Sequence, residues 1–157
     1  ENGGYISSFD INGNVIRKND ASIILAFCHI SFDKEILSYL PIEKAIINSN
    51  NLMNFFKNKY NEHKMNLIGR YENDKYYDGH IWILCSLALG QFFQFLSKNF
   101  EKYKKMSEIP EKIYSDIMSI DDELNLSEQY DIIDKKQLSA NKLTWNYSEF
   151  YFFLLNH

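Results

Sequence analysis

The chain is 157 residues long, 45% apolar and 24% charged, which suits one ordinary domain with a buried core and excludes a disordered segment. Its formal charge of −4, with no basic patch among the aromatics, argues against a nucleic-acid-binding surface. The longest apolar stretch, Trp82 to Leu96, is shorter than a membrane span and is interrupted by Ser86, Gln91 and Gln94, so no membrane partner is expected.

Only two prolines and six glycines punctuate the sequence, which favours long helices over many short strands. Residues 1–18 are rich in Gly and Asn, with turns at Gly3-Gly4 and Asn12-Gly13, and read as a loop or a short hairpin. Asp20 is placed to N-cap a helix running to about Phe32, with Ile23, Phe27 and Ile30 as its stripe. A short helical turn over Glu35–Leu40 is stopped by Pro41. From Ile42 to Tyr60 the apolar positions Ile42, Ala45, Ile46, Leu52, Phe55 and Phe56 repeat near the helical period. Residues 61–81 lose that periodicity and become polar and tyrosine-rich, a long ordered loop.

Trp82 to about Tyr103 is the strongest predicted helix, apolar nearly all round at first and amphipathic later. Lys102, Lys104 and Lys105 stand at its end, where cations suit the helix dipole. Pro110 fits the first turn of a helix over 110–119. Residues 121–139 form a second polar loop. A last helix, from Ala140 or Thr144 to Leu155, carries Tyr147, Phe150, Tyr151 and Leu154 on its face. No segment alternates convincingly at the strand period, so the predicted class is all-α.

Cys28 and Cys85 lie inside apolar runs with no CxxC pattern, as buried free thiols by default or else as a disulfide. The four histidines are scattered without ligand spacing, and neither a metal nor a cofactor is expected. Two polar loops hold the chemistry. The first, Gly69 to Trp82, gathers Arg70, Asp74, Asp78, Tyr71, Tyr76, Tyr77 and Trp82. Arg supplies a planar fork of donors, Asp supplies acceptors, and Tyr and Trp supply flat apolar faces with a polar handle. That set suits the vicinal hydroxyls and C–H faces of a sugar; it equally makes a loop pinned by an Arg–Asp salt bridge over a core. The second loop holds Glu128, which composition alone does not distinguish from any exposed loop acid. Asn125-Leu126-Ser127 and Asn146-Tyr147-Ser148 match glycosylation sequons and are read as chance.

Three separated segments resemble glycoside hydrolase family 15, the glucoamylases, in the family's order. Gly69-Arg70-Tyr71-x-x-Asp74-x-Tyr76-Tyr77-x-Gly79-x-x-Trp82 is similar to the family's Gly-Arg-Tyr-Pro-Glu-Asp…Tyr…Gly-Asn-Pro-Trp stretch. Leu126-Ser127-Glu128-Gln129-Tyr130-Asp131 resembles the Ser-Glu-Gln-Phe/Tyr-Asp run around the catalytic base. Leu138-Ser139-Ala140-x-x-Leu143-Thr144-Trp145-x-Tyr147 resembles Leu-Ser-Ala-x-x-Leu-Thr-Trp-Ser-Tyr. More weakly, Asp20-Ala21-Ser22-Ile23-Ile24-Leu25-Ala26 resembles the family's Asp-Ala-rich helix upstream.

The resemblance implies part of an α/α toroid of six helical hairpins. It implies release of β-glucose, with inversion, from the non-reducing ends of α-1,4-glucans, so an α-glucan or maltooligosaccharide is the expected partner. Glu128 would be the general base, and Arg70, Asp74, Tyr76 and Trp82 would line the sugar subsites. Trp145 would pack near the base, and Gln129 would orient Glu128 through a hydrogen bond. The chain departs from the pattern at Glu72-Asn73, where the family has Pro-Glu, and at His80-Ile81, where it has Asn-Pro. The family's general acid sits in a Trp-Glu-Glu-x-x-Gly-type motif, which these residues lack. The chain is therefore expected to be the C-terminal portion of a catalytic domain, needing its N-terminal portion for the acid. The alternative is a diverged, non-catalytic toroid fragment that binds glucan or serves a regulatory or structural role.

Overall fold

A computed structural model describes residues 3–30, 35–36, 39–61 and 63–156. The Gly- and Asn-rich start is a hairpin. Strands β1 (Ser8–Phe9) and β2 (Val15–Arg17) pair antiparallel, with Ser8 opposite Arg17 and Phe9 opposite Val15. Asp10 closes the turn by accepting the Asn12 and Asn14 N–H groups, each at 2.8 Å.

Helix α1 (Ala21–Ile30) starts where Asp20 was expected to cap it: Asp20 Oδ1 accepts the Ser22 N–H at 2.8 Å. Its expected extension to Phe32 lies outside the described residues, as does part of the turn expected over 35–40. The buried stripe of α1 is Ala21, Ile24, Phe27 and Cys28, with Ile23 and Ile30 at its margin. Helix α2 (Ile42–Lys59) buries the expected Ile42, Ala45, Ile46, Leu52 and Phe56, while Phe55 is half-buried.

Helix α3 (Ile83–Asn99) is the centre of the fold. It is buried without a break from Ile83 to Gln94, and α1, the helix α4 (Glu108–Ile120) and the helix α5 (Thr144–Leu155) all pack on it. It is shorter than the predicted 82–103. Phe100 is extended (φ −133°, ψ 114°), with its ring edge-on to Phe95 and Tyr103, and the chain continues as a 3₁₀ segment, Glu101–Ser107. Pro110 occupies the first turn of α4 as expected. The face of α5 is rotated from the expected one: Asn146, Phe150 and Phe153 are buried, whereas Tyr147, Tyr151 and Leu154 are exposed. No described helix is long and apolar enough to cross a membrane.

The fold is mostly helical, but the all-α expectation is corrected by two small antiparallel sheets. The second joins the two polar loops. Strand β3 (Ile81–Trp82) pairs with β4 (Gln129–Asp131), which pairs with β5 (Lys136–Leu138). Trp82, expected to open a helix, is instead a strand residue opposite Gln129. Strands of two or three residues are too short to show alternation; β4 and β5 form a local hairpin, whereas β3 pairs with a segment far along the chain.

Candidate functional site

The first loop is organised by Asp74. Its side chain is 1% exposed and accepts Arg70 Nε at 2.7 Å, Arg70 Nη2 at 2.8 Å and the Tyr76 N–H at 3.0 Å. Burial pushes the Asp74 carboxyl up, but the Arg70 hydrogen bonds, the Tyr76 N–H and the Arg70 charge outweigh it and hold it below the usual carboxylate range. The same pairing raises Arg70. Arg70 also lies over three rings, with Cζ 5.3 Å from Tyr71, 5.0 Å from Tyr76 and 4.7 Å from Trp82. The Arg–Asp ion pair expected as one reading of this loop is thus present, with the three rings packed beside it.

The loop then turns tightly. Tyr77, Asp78 and Gly79 are consecutively left-handed, with φ of 46°, 57° and 62°. A Cβ at Gly79 would meet the Asp74 carbonyl oxygen at 2.7 Å, so glycine is required there. Lys59 of α2 gathers the Asp78 and Gly79 carbonyls, the Tyr60 hydroxyl bonds His80 Nδ1 at 3.1 Å, and Asn19 Nδ2 donates to Glu72 Oε1 at 2.7 Å. These contacts hold the two stretches, Glu72-Asn73 and His80-Ile81, at which the sequence departs from the glucoamylase pattern.

Glu128 is half-buried just before β4. Its backbone is fixed by its N–H on Ala140 O at 2.8 Å and by its carbonyl, which accepts the Ile83 N–H at 3.3 Å and so caps the first turn of α3. The segment before it rests on buried polar groups. Asp121 accepts the Asn125 and Leu126 N–H groups at 3.0 and 2.7 Å, and it accepts the Tyr130 hydroxyl as well. Asn146 of α5, fully buried, donates to Leu126 O at 3.0 Å and Ser127 O at 2.8 Å. Leu124 and Leu126 adopt left-handed φ of 54° and 43°, conformations that persist only where surrounding contacts over-determine them.

On its side chain, Glu128 Oε2 accepts the Ser139 hydroxyl, and Ser139 Oγ lies 2.9 Å from the Tyr76 hydroxyl. Tyr76 in turn packs 6.1 Å from Trp82, ring to ring. Asp74, Arg70, Tyr76, Trp82 and Glu128 therefore form one continuous chain of contacts through Ser139. Oε1 of Glu128 has no protein partner among the described residues.

Gln129 does not orient Glu128 as expected. Neither amide atom has a hydrogen-bond partner among the described residues, although the side chain is fully buried. Adjacent residues entering a strand point to opposite faces, so Gln129 turns away from Glu128. Ser139 holds the carboxylate instead.

Arg70, Trp82 and Trp145 line one cavity of about 440 Å³, together with Arg17, Asp20, Tyr71 and Cys85. Trp145 is half-exposed, and its Nε1–H donates to Glu149 Oε1 at 3.1 Å. Glu128, Asp74 and Tyr76 do not line this cavity; they reach it through Arg70 and Trp82. Sequence reasoning missed Arg17, Asp121 and Asn146. Arg17 lay in a stretch read as loop, and Asn146 was considered only as a sequon; its burial accounts for reading that sequon as chance.

Both cysteines are free and buried, with Cys28 Sγ 2.9 Å from Gln91 Oε1. Burial, helped by the Glu149 charge, pushes the Cys28 thiol up to about 12. Among the described residues no three His, Cys, Asp or Glu side chains converge to hold a metal ion. No protein-family model matches the chain, and no solved structure matches it significantly.

Proposed function

We propose that this chain carries the base-bearing part of an inverting glucan 1,4-α-glucosidase site of the glucoamylase type, its helices forming the C-terminal portion of an α/α toroid. One observation carries the reading. Residues drawn from three separated motifs, Asp74–Arg70–Tyr76–Trp82, Glu128 and Ser139, are joined by direct contacts although the sequence holds them up to 69 residues apart.

In this reading Glu128 accepts the proton of a water through Oε1 while Ser139 holds Oε2. The water oxygen bonds to the anomeric carbon as the glycosidic C–O bond breaks, and the configuration inverts. A carboxylic acid outside these residues protonates the leaving oxygen, with the two carboxyls about 6.5–9.5 Å apart to admit the water. Arg70 and Trp82 bind the sugar, and Trp145 extends the wall of the adjoining cavity.

The test is Glu128→Gln in the full-length protein. Wild type should release β-glucose from maltooligosaccharides, and the variant should turn over about 10²–10⁴-fold more slowly while binding them equally well. A variant retaining near wild-type turnover removes Glu128 from the mechanism. Wild-type binding without turnover favours the non-catalytic, glucan-binding alternative.

A further inference from the structure

The cavity shared by Arg70, Trp82 and Trp145 has lining that the glucosidase reading does not use. Arg17 repeats the arrangement of Arg70. Its Nη1 donates to Asp20 Oδ2 at 2.8 Å, as Arg70 donates to Asp74. Its Cζ lies 3.5 Å from the centroid of Tyr71, the ring that the Arg70 guanidinium approaches at 5.3 Å. Backbone bonds fix the two pairs relative to each other. Ala21 N–H donates to Arg70 O at 2.7 Å, and Asp20 forms an antiparallel bridge with Tyr71.

Both carboxylates are fully engaged. Asp20 accepts the Ser22 N–H on Oδ1 and Arg17 on Oδ2, while Asp74 accepts Arg70 on both oxygens and the Tyr76 N–H besides. The arginines are not. Asp20 engages Arg17 through Nη1 alone, and Asp74 engages only Nε and Nη2 of Arg70. Trp82 contributes its ring to the wall, its Nε1–H being buried without a partner among the described residues. The lining thus offers hydrogen-bond donors while each positive charge is matched by its own aspartate. Such a surface suits a neutral, hydroxyl-rich ring; an anion would need an unmatched cation. A volume of about 440 Å³ lies in the range of small-ligand pockets.

We propose that Arg17 is a ligand-binding, specificity-determining residue of this cavity, donating through its free N–H groups to the hydroxyl oxygens of a neutral sugar ring. The proposal rests on the glucosidase reading only for the identity of that sugar. The hairpin strand β2 then contributes to the site, and the cavity selects neutral sugars over phosphorylated ones.

Both tryptophans of the chain line this cavity, so tryptophan fluorescence reports its occupancy directly. The full chain and its Arg17→Met and Arg17→Lys variants, each checked for native circular dichroism, are titrated with maltose, glucose and glucose 6-phosphate, with calorimetry alongside. Arg17→Met keeps an apolar stem over Tyr71 and should weaken maltose binding about tenfold; Arg17→Lys, which loses the fork but keeps the charge, should weaken it less. Glucose 6-phosphate should bind no tighter than glucose. Maltose binding that is unchanged in both variants overturns the role of Arg17 and leaves the glucosidase reading standing. Tighter binding of the phosphorylated sugar, or no binding of any sugar, overturns the proposal outright. Arg17-dependent maltose binding supports the proposal, and failure of the full-length protein to release glucose while it binds maltose in this way removes the glucosidase reading.

Discussion

Replacing Asp74 with asparagine keeps the shape of the side chain and removes its charge. The aspartate accepts three N–H groups, from Arg70 Nε, Arg70 Nη2 and the Tyr76 backbone. An asparagine nitrogen only donates, so one of those contacts becomes donor against donor. Hydrogen bonds to charged groups contribute about 1.5–3 kcal/mol each, and breaking a fully buried pair on one side costs about 3–5 kcal/mol. The Arg70 side chain is 32% exposed, so water recovers part of the loss, and the expected destabilisation is about 2 kcal/mol. With a urea m-value of about 2 kcal/mol per M, the unfolding midpoint falls by about 1 M at unchanged slope.

The effect carries a pH signature. Folding lowers the Asp74 carboxyl below its ordinary value, so the pair stabilises the fold above the unfolded-state pKa of about 4. That stabilisation is lost as pH falls from there through the lower folded value. Wild type and Asp74→Asn should therefore differ at neutral pH and converge in acid. Urea melts across that window, followed by far-UV circular dichroism, measure both quantities. A neutral-pH difference below about 0.5 kcal/mol, or one undiminished in acid, would refute the assignment of Asp74 as the organiser of this loop.

Two further substitutions test the frame around the site. Asn146→Ala removes both donors to the Leu126 and Ser127 carbonyls, and Leu126 O keeps only its bond from Leu143. It should cost about 1–2 kcal/mol and speed amide exchange at Glu128 and Gln129 more than in α2; equal protection in variant and wild type counts against the clamp. Gly90→Ala gains about 1 kcal/mol of helix propensity, but its Cβ would meet Phe153 Cε2 at 2.5 Å within a closed core. The net outcome should be a lower melting temperature, and a rise would show that α5 can shift without loss.

Gly90 also explains which parts of the fold were legible. Helices α2 and α3 could be read because their burial follows local spacing or a long apolar run. The face of α5 could not, because Trp145, Tyr147, Phe150, Tyr151, Phe152, Phe153, Leu154 and Leu155 surround most of its circumference, and no single stripe stands out. What selects Phe153 for the interior is the missing side chain of Gly90 on α3, 63 residues earlier, which leaves room for the ring. Strands β3, β4 and β5 were illegible for a related reason. Each is too short for a period, and β3 pairs with a segment far along the chain that local pattern does not point to.

The candidate site divides along the same line. Arg70 and Trp82, which line the cavity, and Asp74 and Tyr76, which contact Arg70, are chemically conspicuous and stand together in one polar, aromatic stretch of sequence. The groups that hold Glu128 are ordinary residues made important by burial. Asp121 at the end of α4, Tyr130 in β4 and Asn146 in α5 converge on the segment before the acid, and Ser139 after β5 grips its carboxylate. No one of them is distinctive by type or spacing. Their joint effect is to fix a carboxylate whose backbone also caps α3, so any change that tilts this central helix moves Glu128 with it. The residues that decide the position of Glu128 are therefore core residues.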